Sequence, residues 1–164
     1  ETAEKPSDAS LMADASPIPD PAPVIHATLF TMVISFNLKF SNITEMSLIL
    51  TKKLKENKMK VHLETSGAYK ISGKWDWICL SPKKQKLPEN EIYELANELK
   101  IIIHNKNDLK FALQESKKVS KDCELYLQPE WGKFEKNKTF IVDFIKENPE
   151  WQISLQIHKF LNID

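Results

Sequence analysis

Five short polar segments each follow an apolar run, and they hold most of the residues able to do chemistry. They are Glu64-Thr65-Ser66-Gly67, Ser81-Pro82-Lys83, His104-Asn105-Lys106, Gln128-Pro129-Glu130-Trp131, and Gln156 with His158-Lys159. In parallel α/β folds, ligands bind where the strands end at their carboxyl edge. Apolar runs that all empty into hydrogen-bonding and charged side chains therefore predict a binding edge. Each segment taken alone also has a plainer account. Glu64 can cap a helix, Ser81 before Pro82 can form a turn, and His158 beside Lys159 can be a surface residue. Glu64, His104 and His158 could also act as acid–base groups of an unrelated α/β enzyme. Trp75 and Trp77 lie two apart, which places them on one strand face as core, and Trp131 reads as core or rim packing.

The elements that position these segments are legible from periodicity. LTKKLKENK ends a helix, MKVHLE alternates as a strand, and WDWICL is a second strand between Gly73 and Pro82. Ile92, Leu95, Ala96 and Leu99 fall on one stripe of a helix. LKIIIH is a continuous apolar strand, and Asn107 or Asp108 can cap a helix striped by Leu109, Ala112, Leu113 and Ser116. CELYLQ is a strand, Ile141, Phe144 and Ile145 line a helix that stops before Pro149, and WQISLQI closes the series. Strand and helix alternating every roughly 25 residues predict βαβ units and a parallel sheet. LKIIIH and WDWICL read as buried on both faces.

Before Thr51 the chain has a different character. Residues 1–23 carry Pro6, Pro17, Pro19, Pro21 and Pro23 among Ala, Ser and Asp, a composition expected to stay disordered. Residues 24–50 fit a strand and then a helix only loosely. The apolar run Val24 to Phe36 falls short of the about 20 residues that a membrane span needs. No signal peptide is visible, which points to the cytoplasm.

Composition excludes several functions. Lys plus Arg equals Asp plus Glu at 23 each, and the basic residues are lysines. With no basic field and no arginine forks, nucleic-acid binding is not expected. Cys79 and Cys123 are far apart in apolar runs, which reads as core thiols in a reducing compartment. Three glycines leave no Gly-rich phosphate loop, and neither a Gly-x-Ser-x-Gly elbow nor a metal-spaced His pair is present.

Four segments in order, HLETSGAYKISGKWDWICLSPKK, NELKIIIHNKND, CELYLQPEWGK and NPEWQISLQIHKFLNID, resemble the 7-carboxy-7-deazaguanine synthases, radical-SAM lyases of the queuosine pathway. The likeness runs from about Thr51 to Asp164. It implies an incomplete open βα barrel of mostly parallel strands, preceded by the Pro-rich segment. It implies that Ser81, Pro82, Lys83, Gln128, Pro129, Glu130 and Trp131 contact S-adenosylmethionine, and that Glu64 and Thr65 line the same cavity. His158 and Asp164, with the terminal carboxylate, would lie near the pterin. In that family a 4Fe–4S cluster and S-adenosylmethionine generate the radical, and Mg2+ assists contraction of 6-carboxy-5,6,7,8-tetrahydropterin to 7-carboxy-7-deazaguanine. The enzymes of that family are typically homodimers.

This chain departs from the family pattern in its N-terminal third. The Cys-x-x-x-Cys-x-x-Cys loop, Gly-Gly-Glu-Pro, and the early Gln-Gly-Glu and Arg have no counterpart, and Lys39-Phe40-Ser41-Asn42 stands where Gly-Gly-Glu-Pro is expected. Ile157 replaces the usual Thr, and Asp164 replaces the usual last residue. Residues 1 to about 50 are therefore expected to be foreign to the family, through a frameshift or a gene remnant. The chain as written is expected to be inactive. The alternative is a non-catalytic SAM- or pterin-binding, or dimerising, remnant.

Overall fold

Strands and helices alternate along the described chain except between β2 and β3, which no helix separates, and each strand pairs in parallel with the next one in sequence. The computed structural model describes the backbone of residues 24–28 and 43–45 and all of residues 46–163. The expectations for residues 1–23, for most of 24–50 and for Asp164 lie outside the described residues. The strands are β1 (Val24–Thr28), β2 (Lys60–Thr65), β3 (Trp77–Leu80), β4 (Glu98–Ile103), β5 (Glu124–Pro129) and β6 (Trp151–Ile153). The helices are α1 (Ile43–Glu56), α2 (Asn90–Leu95), α3 (Asn107–Glu115), α4 (Phe134–Glu147) and the short α5 (Ile157–Phe160).

The sheet order β1-β2-β3-β4-β5-β6 follows the sequence without a switch point. Parallel crossovers are right-handed, so consecutive units wound in one direction put their helices on one face of the sheet, as in a barrel wall. Burial agrees with this. Register pairs Leu63 with Ile78, Leu80 with Leu99, Ile101 with Leu127 and Leu125 with Trp151, which places these side chains on one face. All but Leu125 are buried, and the core cluster includes Ala112 of α3 and Ile141 of α4.

The opposite face carries Glu64, Cys79, Glu98 and Glu124 in one row, and Lys100, Tyr126 and Gln152 in the next. This corrects the expectation that β4 is buried on both faces. Its burial alternates, with Leu99, Ile101 and Ile103 buried and Glu98, Lys100 and Ile102 half-buried. β3 comes nearer to the expectation, with only Trp77 half-buried.

Other differences have local causes. The stripe Ile92, Leu95, Ala96, Leu99 is not one helix. α2 ends at Leu95, whose side chain is exposed, Ala96 is extended, and Leu99 sits in β4. Pairing of β4 with β3 and β5 overrides the helical spacing. α3 buries Asp108, Ala112 and Glu115, while Leu113 is exposed and Ser116 belongs to a 3-10 turn. Its polar inner positions have partners, since Lys84 pairs with Asp108 and the Tyr93 hydroxyl donates to Glu115. Trp75 precedes β3, and it and Trp77 are half-buried and not core; their indole N–H groups donate to the Ser72 carbonyl and to Glu98. The core tryptophan is Trp151. The closing segment stops as a strand at Ile153, so His158 and Lys159 lie on α5 and do not directly follow a strand.

After β2 the chain turns sharply at Gly67 (φ +69°), where a Cβ would stand 2.6 Å from Leu80 Cδ1 and 2.8 Å from Pro88 Cβ. Left-handed backbone and a filled neighbourhood together exclude a side chain there. Gly67→Ala is expected to destabilise the fold by about 2 kcal/mol, read as a lower midpoint in urea unfolding with the slope unchanged.

Candidate functional site at the carboxyl edge

The carboxyl ends of β2 to β6 lie along one edge, and backbone hydrogen bonds join the segments that leave them. Ser81 N–H donates to the Thr65 carbonyl at 2.7 Å, Glu130 N–H to that of Ile103 at 3.0 Å, and Ser154 N–H to that of Leu127 at 2.9 Å. Parallel strands place these segments side by side because each hydrogen bond continues the ladder by one residue past the strand.

Three expected site residues lie at the ends of the adjacent strands β2 and β3. Ser81 is buried, its hydroxyl accepts from Lys83 Nζ at 3.3 Å, and Glu64 pairs with Lys100 at 2.8 Å. Crowding by surrounding protein lowers the Lys83 pKa, with repulsion from Lys100 adding to the effect and attraction to Glu64 opposing it. Burial works against the Lys100 charge too, but Cys79, Glu64 and Glu98 outweigh it, so its pKa is raised. Of these ammonium groups, that of Lys100 is in contact with the Glu64 carboxylate, while the exposed Lys83 is held to the Ser81 hydroxyl. Thr65 turns its hydroxyl to the Gly67 N–H at 3.1 Å and so serves the turn. Pro82 and Pro129 are buried, and Gln128 is half-buried on the open face beside Ile102.

Glu130 accepts from the Gly132 N–H at 2.9 Å, which starts the turn into α4. Trp131 packs edge-on against Phe160 at 4.9 Å, with Lys159 Nζ 5.5 Å from its ring centre. His158 is exposed on α5, and among the described residues no hydrogen bond joins it to Glu64, Ser81 or Lys83. His104 is exposed, lines a cavity of about 110 Å3 with Lys83, Lys84 and Asp108, and likewise has no bond to Glu64 or His158. The trio Glu64, His104 and His158 is therefore not assembled as an acid–base unit.

Lys100 and Glu98 escaped the sequence reading, as did Cys79 and Tyr126 as residues of the open face. The signal was charge at period two within ELKIII. Cys79 lies on the open face with its thiol donating to Glu98 at 3.2 Å. Tyr126 donates to Glu124 at 2.8 Å, which pushes its phenol up to about 12.

The thiols do not fit an iron–sulfur cluster. Cys79 is on the open face, whereas Cys123 belongs to the packed core on the other side. Burial pushes the Cys79 thiol well up and that of Cys123 to about 11, the reverse of what thiolate ligands need. Among the described residues no group of three or more His, Cys, Asp or Glu is placed to hold a metal ion. No helix among them is long and apolar enough to cross a membrane.

These features define an α/β protein built as part of a βα-barrel wall, with a polar open face and polar segments at the strand carboxyl ends. Models of known protein families give no match. The chain is 56% identical over 115 residues to 7-carboxy-7-deazaguanine synthase from Flavobacterium psychrophilum, a match covering 70% of this chain and 55% of that protein. The enzymes of the same name from Synechocystis sp. and Prochlorococcus marinus are 47% and 39% identical, over 70% and 64% of this chain and 54% and 53% of theirs. A crystal structure of QueE from Escherichia coli superposes with a TM-score of 0.56 at 25% identity, over 66% of this chain and 49% of that one. The C-terminal part of the chain is homologous to the 7-carboxy-7-deazaguanine synthases. The chain spans about half the length of the curated relatives it matches.

Proposed function

We propose that these residues form the cofactor- and pterin-binding part of a 7-carboxy-7-deazaguanine synthase. The observation that carries the reading is that Glu64 near the end of β2 and the hydrogen-bonded pair Ser81 and Lys83 just past β3, all from the family-like segments, leave adjacent parallel strands at one edge. S-adenosylmethionine is polar, carrying a ribose diol, an ammonium and a carboxylate. The acceptors Glu64, Ser81 and Gln128 and the donor Lys83 suit such a molecule. Glu130 and Trp131 extend this edge toward α4, and His158 and Asp164 are assigned to the pterin.

Bound S-adenosylmethionine would supply the radical chemistry of the family, which also needs an iron–sulfur cluster. The thiols present here do not fit that cluster, so these 164 residues by themselves bind and orient ligand and do not turn it over. A small pterin substrate, a cytoplasmic homodimer and a Mg2+ ion belong to the same reading.

Two measurements test it. Calorimetric titration of the full chain with S-adenosylmethionine is expected to give saturable one-site binding; no heat at millimolar ligand would remove the reading. Anaerobic reconstitution with iron and sulfide is expected to leave no broad visible absorption. A stable cluster spectrum would overturn the statement that these residues cannot hold the cluster.

A further inference from the structure

Lys100 stands in the interior of β4, a strand flanked on both sides, and its side chain is only 12% exposed. Interior positions of parallel strands are ordinarily apolar, because an ammonium loses its hydration there unless it is paired. Its partner is not on an adjacent strand. Nζ reaches across β3 to Oε2 of Glu64 on β2, 2.8 Å away. The pair is lopsided, since Glu64 is 43% exposed and only its partner is buried. Its second oxygen, Oε1, makes no hydrogen bond among the described residues, and Lys83 is occupied with the Ser81 hydroxyl. A purely structural ion pair would be expected to enclose both partners. Here one carboxylate oxygen is anchored from below, and among the described residues the other accepts no hydrogen bond at the carboxyl edge.

We propose that Lys100 is a positioning residue, which fixes the Glu64 carboxylate so that Oε1 accepts a hydrogen bond from a hydroxyl or ammonium donor of S-adenosylmethionine. The proposal rests on the reading that this cofactor binds at the carboxyl edge. Lys100 itself stays beneath Glu64 and does not touch the ligand. An anchored acceptor loses less rotamer freedom on binding than a loose one, so the effect appears as affinity.

The test is a double-mutant cycle on the full chain, read by calorimetric titration with S-adenosylmethionine. Lys100→Met and Glu64→Gln are each expected to weaken binding about tenfold. The double variant is expected to be weakened about tenfold too, because both changes remove one and the same contact. Lys100→Arg is expected to restore most of the affinity. Should Lys100→Met fail to fold by circular dichroism, Glu64→Asp serves instead. It keeps the charge but shortens the reach, and is expected to cost about tenfold on the exposed partner. Wild-type affinity in Lys100→Met or Glu64→Asp, or effects that multiply to about a hundredfold in the double variant, would overturn the positioning role while the binding site stands. No binding by the wild type would overturn both.

Discussion

Trp151→Ala is expected to cost about 3–5 kcal/mol, the largest loss from any single core truncation among the described residues. Trp151 opens β6, is 1% exposed, pairs with Leu125 in register and meets the Phe144 ring edge-on at 6.2 Å. Its side chain fills the layer between the sheet and α4. β6 is three residues long and pairs within the described sheet only with β5, so little else holds it. The same residue also carries a penalty. Its indole N–H finds no hydrogen-bond partner among the described residues, and a buried donor without an acceptor costs about 1–3 kcal/mol. Trp151→Phe removes that donor while keeping most of the ring volume. It is therefore expected to lie within about 1.5 kcal/mol of the wild type. Urea unfolding of the two variants separates the terms. Equal losses in both would mean that shape, and not burial, sets the contribution of this position.

The shared carboxyl edge is legible in the sequence because one rule suffices for it: strands alternating with helices run parallel, and parallel strands end together. That rule places Glu64, Ser81 and Lys83 at the edge from the sequence alone. It does not place Lys100. LKIIIH looks continuous because its one cation sits among aliphatic residues, and only the observed register shows that it shares a face with Tyr126 and lies one strand away from Glu64's neighbour Cys79. Leu99 was misplaced because its spacing from Ile92 fits a helix turn as well as a loop followed by a strand. Periodicity cannot choose between them when the helix is as short as α2. The tryptophans were misread for a related reason. Trp75 and Trp77 share parity, but the strand begins only at Trp77, so parity assigns no face to Trp75. His158 was placed directly after a strand because the polar residues of QISLQ look like continued alternation. Pairing with β5 ends at Ile153.

Asp108→Ala is expected to destabilise the chain by about 3 kcal/mol and to loosen the carboxyl end of β4. The sequence suggested Asn107 or Asp108 as a helix cap, and the structure divides the work differently. Asn105 Oδ1 accepts from the Asn107 N–H at 2.9 Å, while the Asp108 carboxylate reaches back to the N–H groups of His104 and Asn105 at 2.7 and 2.9 Å. Lys84, from the segment after β3, pairs with the other Asp108 oxygen. One carboxylate thus ties the exits of β3 and β4 to the first turn of α3. Burial opposes its charge, but Lys84 and the two backbone donors overcome it and hold the pKa below the ordinary carboxylate value. A depressed folded-state pKa means that this stabilisation is fully present above the unfolded value of about 4 and is lost as pH falls through the folded one. The wild type should therefore lose stability on acidification below about pH 4. Asp108→Asn should start from a lower plateau and lose correspondingly less over that interval. Unfolding midpoints measured from neutral pH downward decide the matter. Parallel acid profiles for wild type and Asp108→Asn would mean that this carboxylate is not the group that ties the two strand ends together.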